Sequence, residues 1–459
     1  MRKGLALVFL IVLTLAVNAN DVFQLEQTEP AQLADWTVMV YMAAENNLER
    51  YAIKDINEME EVGSSDKLNI IALIDRWDGY HWVYKDGNLV RERSSSDYTG
   101  NDNWTDTRVY RILKDDSDDI NSELISSGME INSGDPKNLE NFIHMTANRY
   151  PARKYLVIVW NHGGGIQGIA WDDNERSDDH ISAKALGVAF NNAVNRIINR
   201  NRGLVDMVGF DACLMNMYEI ADELSRNQVG TMVGSEELEP GDGWPYDEFL
   251  EYLRDRVDAG RDVSETALAR QIVDDFIDSY DGWFFGLVGG NEATLSAVSL
   301  YPTSKFDSVN AKIDQLIGLI LEDDDNFLKL HNAAKNSQKY DFWTYYVDLI
   351  DFMNKIEDEF SGEIAQKARD VVREIRNNRM IIANDTHGSS VEDSNGLSIY
   401  FPLYRRKYRG STPYLIRPYN RDSAKFTALH FGKNTKWKDM IEQYYRVLDT
   451  KTDEEVGVD

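Results

Sequence analysis

The chain has 459 residues, and its 78 Asp and Glu outnumber its 49 Lys and Arg, which gives a formal net charge of −29. Such an acidic surface repels nucleic acid and anionic membranes, so we expect no nucleic-acid partner. The length is enough for one large or two ordinary domains with a substantial buried core.

The first residues have the pattern of a secretory signal peptide. Arg2 and Lys3 precede an apolar stretch over residues 4–17, and small residues stand at Val17 and Ala19. This order is typical of an export signal. The stretch is shorter than the roughly 20 apolar residues of a spanning helix, although a retained membrane anchor stays the alternative. We expect removal of residues 1–19, no stable membrane insertion, and a secreted, periplasmic or cell-surface protein.

Strand and helix patterns alternate through the first half of the chain, which predicts an α/β fold with a mostly parallel sheet. In chain order, we predict a strand at 36–42, a helix at 48–62 that Gly63 ends, a strand at 68–74, a hairpin at 81–93, a helix after Asp135 and Pro136, strands at 155–160, 204–210 and 230–234, and a helix at 182–198. Asp135 is a favoured N-cap, and proline is favoured in the first turn of a helix.

The second half has a less regular pattern. It predicts helices at 263–280, 306–321 and 344–356, and strands at 295–301 and 396–401. We therefore expect a signal peptide at 1–19, an N-terminal segment at 20–35, an α/β core at 36–300, a mixed α/β region at 301–449 that packs on the core, and an acidic tail at 450–459 without fixed structure.

Cys213 is the only cysteine of the chain, so it has no partner for an internal disulfide. It follows the predicted strand at 204–210, and His162 follows the strand at 155–160. Functional groups of open α/β sheets gather beyond the carboxyl ends of parallel strands. If the two strands are neighbours, His162 can accept the proton of the Cys213 thiol and produce a thiolate nucleophile for amide cleavage.

The backbone around these two residues suits the same chemistry. The N–H groups of Gly163 and Cys213 are candidate donors to an oxyanion. A helix is expected to begin directly after Cys213, and its N-terminus would lower the pKa of the thiol. A buried apolar role for Cys213 and a structural role for His162 are the simpler alternatives for each residue alone.

Acidic residues near Cys213 indicate a preference for basic substrates. Asp211 is two residues before Cys213 in an extended segment, so both side chains should face the same side. A carboxylate there would bind the Arg or Lys that precedes the scissile bond. The alternative is that Asp211 caps the following helix. Glu236, Glu237 and Asp242 are secondary candidates on a loop that is otherwise expected to be solvated.

Other enzyme classes fit the motifs less well. Gly163–Gly168 matches the G-x-G-x-x-G pattern, but no helix is predicted to open there, so dinucleotide binding is rejected. The chain contains neither the G-x-S-x-G of a serine hydrolase nor the H-E-x-x-H of a zinc peptidase. A non-catalytic surface binding protein on the same scaffold stays the alternative function.

Six segments resemble the clostripain family of cysteine peptidases: Trp160–Gly165, Gly168–Asp173, Gly209–Cys213, Trp36–Tyr41, Glu236–Trp244 and Gly396–Pro402. The resemblance implies a caspase-like α/β/α sandwich related to gingipains, legumains and caspases. It also implies a His162–Cys213 dyad that cleaves polypeptides after exposed basic residues, and maturation by self-cleavage, which we place after Arg176.

We expect no required cofactor. The acidic stretch at 172–179 does not have the spacing of an EF-hand, but the resemblance leaves Ca²⁺ binding open. We expect a monomer. One position departs from the family pattern, because Asn161 stands where an aspartate is common, which puts the tuning of His162 in doubt.

Overall fold

The computed structural model describes residues 33–456 except 86–87, 174–178, 197–204, 281–291, 341–344, 410–411 and 417. The predicted signal peptide and the predicted cleavage residue Arg176 therefore lie outside the described residues.

A parallel sheet forms the centre of the molecule. Its strands in spatial order are β2 (Leu68–Arg76), β1 (Ala34–Ala44), β7 (Ala152–Trp160), β10 (Val205–Asp211) and β11 (Val229–Gly234). All nine residues of β2 are buried, and the apolar runs that predicted these strands are those expected of a sheet covered on both faces.

Antiparallel strands extend this sheet at both edges. Within the described residues it has nine strands, because β5 (Thr107–Arg111) and β6 (Glu123–Met129) follow β2, while β12 (Ala293–Ser299) and β15 (Ile381–His387) follow β11. β15 comes from the region expected to pack on the core at 301–449, so the C-terminal half completes the main sheet.

Helices cover both faces of the sheet, and alternate residues of β1 show the division. Val38 and Val40 pack in one apolar cluster with α1 (Glu49–Val62), α5 (Tyr246–Asp258) and α6 (Glu265–Tyr280). Met39 and Tyr41 pack in the other cluster with α2 (Pro136–Arg149), α3 (Ala183–Arg196) and α4 (Tyr218–Ser225). The expected α/β/α fold with a mostly parallel sheet is confirmed.

The second half adds further helices to the face of α2, α3 and α4. They are α7 (Ser304–Ile320), α8 (Asn326–Asn336), α9 (Leu349–Glu359), α10 (Gly362–Asn377), α11 (Pro418–Ala428), α12 (His430–Asn434), α13 (Trp437–Leu448) and α14 (Asp453–Val456). Short strands accompany the sheet: β3 (Tyr80–Lys85), β4 (Asn88–Arg93), β8 (Ile169–Asp172), β9 (Asp179–Ile181), β13 (Lys339–Tyr340), β14 (Tyr346–Asp348), β16 (Ser398–Tyr400), β17 (Arg405–Arg409) and β18 (Thr412–Ile416).

Local signals in the sequence match the ends of several helices. Gly63 follows α1 with a positive φ of 74°, a conformation that favours glycine. The side chain of Asp135 accepts a hydrogen bond from the Lys137 N–H at the start of α2, so the predicted cap is confirmed. No described helix is both long enough and apolar enough to cross a membrane.

The prediction of an acidic tail without fixed structure is wrong for residues 453–456. These residues form α14, and Val456 is only 3 % exposed. Its carbonyl oxygen accepts a hydrogen bond from Nε2 of the buried His331 at 3.1 Å. The burial of Val456 and this hydrogen bond attach the segment to the rest of the protein, although the surrounding residues are acidic.

Candidate active site

Four turns meet at the carboxyl edge of the parallel sheet. Asn47 follows β1, His162 follows β7, Cys213 follows β10 and Glu239 follows β11. The chain continues to β2 on one side of β1 and later to β7 on the other side, so the crevice between the ends of β1 and β7 is a topological switch point. Ligands of open α/β sheets bind at such points.

The two sequence-predicted catalytic residues lie on neighbouring strands whose ends are in contact. β7 pairs in parallel with β10 up to Trp160 opposite Asp211. A Cβ atom added to Gly163 would lie 2.0 Å from the carbonyl oxygen of Cys213, so only glycine fits between the two turns. The structure thus brings the His162 and Cys213 turns together, as the sequence predicted.

The imidazole of His162 is held by Asn47. Nε2 of His162 lies 2.9 Å from Oδ1 of Asn47, and an amide oxygen can only accept, so Nε2 carries the proton in this hydrogen bond. Burial lowers the pKa of His162, which favours the neutral imidazole. With the proton on Nε2, the neutral ring keeps its basic lone pair on Nδ1.

Two buried asparagines fix the turns on either side of this bond. Nδ2 of Asn46 donates to the carbonyl oxygens of Ala43 at 2.9 Å and Trp171 at 3.1 Å. Asn161 bonds to the same two residues: its Nδ2 donates to both carbonyl oxygens, and its Oδ1 accepts from the Trp171 N–H at 3.0 Å. An aspartate at 161 could only accept, so the departure from the family pattern here has a structural role between β1 and β8.

The Cys213 thiol is protonated in this arrangement. Burial, and next the charge of Glu239, raise the pKa of Cys213 to about 12. The sulfur accepts a hydrogen bond from the Glu239 N–H at 3.2 Å. The expected helix directly after Cys213 is wrong: Leu214 has a φ of 64°, and α4 begins only at Tyr218. A helix N-terminus therefore does not lower the pKa of this thiol.

Asp211 shares its surroundings with Cys213, because both contact Glu239. The carboxylate of Asp211 is 5 % exposed, accepts from the Tyr246 hydroxyl at 2.9 Å, and is hydrogen-bonded by the Glu239 carboxyl. Burial raises the pKa of Asp211 to about 6 and that of Glu239 well above its usual value. Since α4 begins at Tyr218, the alternative that Asp211 caps this helix is wrong.

The remaining acidic candidates are spread around this group. Glu236 is fully buried rather than solvated, and it accepts from the Gly396 N–H at 2.9 Å. Asp242 is half-buried and lies 3.9 Å from the ammonium of Lys54. Glu237 accepts from the Leu238 N–H at 2.8 Å. The structure therefore brings Asp211 and the unpredicted Glu239 together, and no hydrogen bond or ion pair among the described residues joins Glu236 or Asp242 to them.

A cleft of about 450 Å³ opens on the His162 side of the group. Asn47, His162 and Gly163 line it together with Leu214, the residue after Cys213. Trp171 and Asp173, which stand on either side of the end of β8, form another part of its wall. An extended peptide in this cleft would pass directly beside the imidazole.

Asn47 and Glu239 were not predicted from the sequence. Each is one of several similar residues in its turn: Asn47 follows Asn46, and Glu239 follows Glu236 and Glu237. The position of each after a parallel strand was the only available signal, and the fold decides which side chain points to the site.

A half-buried thiol and a neutral imidazole at neighbouring ends of a caspase-like sheet are typical of a cysteine peptidase. Comparison with known proteins gives the family. The model of the clostripain family matches residues 40–444, and the chain belongs to this family. It is 26 % identical over 425 residues to clostripain from Hathewaya histolytica, covering 81 % of this chain and 75 % of that protein.

Two solved structures of C11 cysteine proteases have a similar fold. A secreted C11 cysteine protease from Bacteroides thetaiotaomicron, in complex with an irreversible peptide inhibitor, has a TM-score of 0.56 and 20 % identity, over 86 % of this chain and 99 % of that chain. An inactive zymogen C11 protease from Parabacteroides distasonis has a TM-score of 0.59 and 17 % identity, over 88 % and 98 %.

Proposed function

We propose that this cysteine peptidase is a secreted endopeptidase that cleaves after Arg or Lys through Cys213 as nucleophile and His162 as acid and base. The observation that carries the proposal is the contact of the two turns, in which Gly163 lies against the backbone of Cys213. This contact puts a thiol and a neutral imidazole at one edge of the sheet, with acidic groups beside them.

The protonation states indicate how the first step proceeds. Nδ1 of His162 accepts the proton of the Cys213 thiol while the sulfur attacks the substrate carbonyl carbon, because a thiol with a pKa of about 12 is not ionised beforehand at neutral pH. The N–H groups of Gly163 and Cys213 are the donors for the oxyanion that forms.

The second half of the reaction returns the protein to its starting state. His162 gives the proton to the leaving amine, the C–N bond breaks, and a thioester on Cys213 results. Water then attacks the thioester with His162 as base, and the proton returns to the sulfur as the acid product leaves. The chemical steps need no metal ion or organic cofactor.

Asp211 is the residue for which we propose substrate selection. In the free protein, the protonated Glu239 carboxyl donates a hydrogen bond to Asp211. A guanidinium or ammonium group of a substrate that reaches Asp211 would take the place of this donor. A guanidinium can also engage a carboxylate with two parallel hydrogen bonds. Asp211 and Glu239 both lie beside the Cys213 turn. This position supports a preference for substrates with a basic residue directly before the scissile bond.

Export and self-processing complete the proposal. Residues 1–19 would be removed as a signal peptide, and the mature protein would act as a monomer on exposed Arg or Lys of polypeptides. Cleavage after Arg176 is supported by the position of its flanks, because Asp173 lines the cleft and β9 begins at Asp179.

Three peptides with the same fluorogenic leaving group, ending in Arg, Lys or Asp, test the function. The mature protein should hydrolyse the Arg and Lys peptides, and Cys213→Ala should hydrolyse none. Hydrolysis that persists in Cys213→Ala would refute the nucleophile, and preference for the Asp peptide would refute the role of Asp211. A protein that binds the peptides without cleaving them would be a binding protein.

Self-cleavage needs its own comparison. On denaturing gels, the wild-type chain should separate into two fragments, while Cys213→Ala and Arg176→Gln should each stay intact. A cut Cys213→Ala chain would point to another protease.

A further inference from the structure

A positively charged side chain from the C-terminal half lines the active-site cleft. Arg421, in the first turn of α11, forms part of the cleft wall together with His162 and Gln167. Its side chain is 61 % exposed, and its guanidinium lies 5.7 Å from the centroid of the Tyr345 ring. The proposed reaction assigns no role to Arg421, and acidic groups prevail elsewhere in this chain, whose net charge is −29.

The guanidinium is held in place, but not all of its donors are used. Nε and Nη2 of Arg421 donate to the two carboxylate oxygens of Asp422 at 2.7 and 2.8 Å, and Asp422 is only 1 % exposed. Nη1 makes no hydrogen bond with the residues that the structure describes. A guanidinium has five N–H donors in one plane, so the pair with Asp422 orients the group and leaves donors for a second carboxylate.

The charges around Arg421 leave this wall of the cleft positive. Its partner carboxylate neutralises one charge, but Lys425 follows one turn later on α11 and donates to Oε1 of the cleft residue Gln167 at 3.1 Å. Among the described residues that line the cleft, only His162 and Asp173 could add a further charge near neutral pH, and burial lowers the pKa of His162. No ion pair joins Asp173 to Arg421 in the part of the chain that the structure describes.

The cleft lies where the leaving half of a substrate has to go. Asp211 contacts Tyr246, which begins α5 on one face of the sheet, whereas Leu214 of the cleft packs with the helices of the other face. When the basic side chain of a substrate is at Asp211, the leaving nitrogen must be beside His162, because His162 gives it a proton. His162 lines the cleft, so the residues that follow the scissile bond enter it.

We propose that Arg421 binds an Asp or Glu among the first three residues after the scissile bond. The peptidase would then favour a basic residue on one side of this bond and an acidic residue on the other. This inference rests on the proposed function, because Cys213 and His162 set the position of the bond. An extended peptide advances about 3.3 Å per residue and turns alternate side chains to opposite sides, so one of these residues can face α11.

The predicted self-cleavage sequence has the same pattern of charges. Arg176 is followed by Ser177, Asp178 and Asp179, so acidic residues come second and third after the predicted scissile bond. This sequence therefore supplies the design of a test substrate.

Two internally quenched peptides test the subsite, with Arg-Ser-Asp-Asp or Arg-Ser-Asn-Asn at the cleavage site. For the wild-type mature protein, kcat/KM should be at least about threefold higher for the Asp peptide, the scale of a partly exposed ion pair. The ratio of the two values should fall to near 1 in Arg421→Gln and stay unchanged in Arg373→Gln. Arg373 is a matched control, because its side chain is 62 % exposed and pairs with Asp370 on its own helix, α10, outside the described lining of the cleft.

The ratio is the chosen readout because it does not depend on the fraction of protein that is folded. Arg421→Gln leaves the buried carboxylate of Asp422 without its partner, which lowers stability. The double variant Arg421→Gln with Asp422→Asn has two neutral side chains instead, and it should also lose the ratio. A wild-type ratio near 1, or a ratio that either variant retains, would overturn the subsite.

The same measurements separate the subsite from the proposed function. If the wild-type protein hydrolyses both peptides with the same kcat/KM, the proposed function stands and the subsite fails. If it hydrolyses neither peptide, the proposed function fails and the subsite fails with it.

A second pair of peptides tests the direction in which the substrate lies. Here the two Asp or the two Asn come directly before the Arg. Replacing Arg421 by glutamine should leave their kcat/KM ratio as it is in the wild type. A preference for these Asp residues that disappears in Arg421→Gln would put Arg421 on the other side of the scissile bond and overturn the assignment.

Discussion

Replacing Asp211 by asparagine should make the protein more stable and much less active. Asp211 is 5 % exposed, and burial raises its pKa from the usual 3.8 to about 6. It is therefore ionised at neutral pH in surroundings that oppose its charge. Asparagine has nearly the same shape, and its carbonyl oxygen can still accept from the Tyr246 hydroxyl.

The expected gain in stability follows from this pKa. Each pKa unit corresponds to about 1.4 kcal/mol, so the ionised Asp211 lowers the free energy of unfolding by about 3 kcal/mol above pH 6. The folded protein holds the proton more tightly than the unfolded chain does. The destabilisation is therefore absent below about pH 4, grows between about pH 4 and 6, and is complete at neutral pH.

Urea unfolding measures the effect, with Cys213→Ala as the background to avoid self-cleavage. At pH 7.5 the additional Asp211→Asn substitution should raise the free energy of unfolding by up to about 3 kcal/mol, and near pH 4 the gain should disappear. The matched control Asp242→Asn, whose side chain is 46 % exposed, should change stability by less than about 0.5 kcal/mol.

Activity should move in the opposite direction. In the wild-type background, Asp211→Asn should lower kcat/KM for an Arg peptide by roughly 100-fold or more, since a buried charge partner of the substrate is lost. The account holds that Asp211 is ionised without a cationic partner in the free protein and binds the basic side chain of the substrate. An Asp211→Asn variant that is destabilised at pH 7.5, or that keeps full activity on Arg peptides, would refute it.

Three further predictions concern the dyad. Alkylation of Cys213 by iodoacetamide in the free protein should accelerate with rising pH through pH 9, because its pKa is about 12; a rate that is level from pH 6 to 9 would indicate a preformed thiolate. Gly163→Ala should abolish hydrolysis, since its Cβ would lie 2.0 Å from the Cys213 carbonyl oxygen; normal kcat and Tm would contradict this contact. Asn47→Ala should lower kcat at least tenfold with little change in KM, and Asn47→Gln should recover part of the loss; an unchanged kcat would remove Asn47 from the site.

The parallel strands were predictable because their apolar runs are long and bounded by clear turns. Each end of the five central strands lies within about three residues of the predicted end. The edge strands β6 and β15 were missed, since their residues are largely exposed or half-buried and do not form an apolar run. β5, which lies between β2 and β6, was missed because it has only five residues and two of them are arginines. An exposed edge strand is held by its ladder of backbone hydrogen bonds, which leaves a weak pattern in the side chains.

Residues of the candidate site could be predicted where a reactive or charged side chain directly follows, or ends, a strand of the parallel sheet. Cys213, His162 and Asp211 fulfil both conditions. The conformation of the turn after Cys213 was not predictable, because Met217, Ile220 and Leu224 have helical spacing while Leu214 takes a positive φ that a sequence pattern does not reveal. The close approach of the buried carboxylates Glu45, Asp75 and Asp172 was not predicted, because these residues are far apart in sequence and meet only through the fold.

Intact-mass spectrometry with two thiol-alkylating peptide reagents tests the central claim most directly. The reagents differ only in their last residue, Arg or Asp, and the single cysteine makes every thiol adduct an adduct of Cys213. We predict that the Arg reagent adds once per chain, at least about 100-fold faster than the Asp reagent, and that hydrolysis is lost in proportion to the adduct. Equal rates for both reagents, or a fully labelled protein that still hydrolyses Arg peptides, would contradict the account.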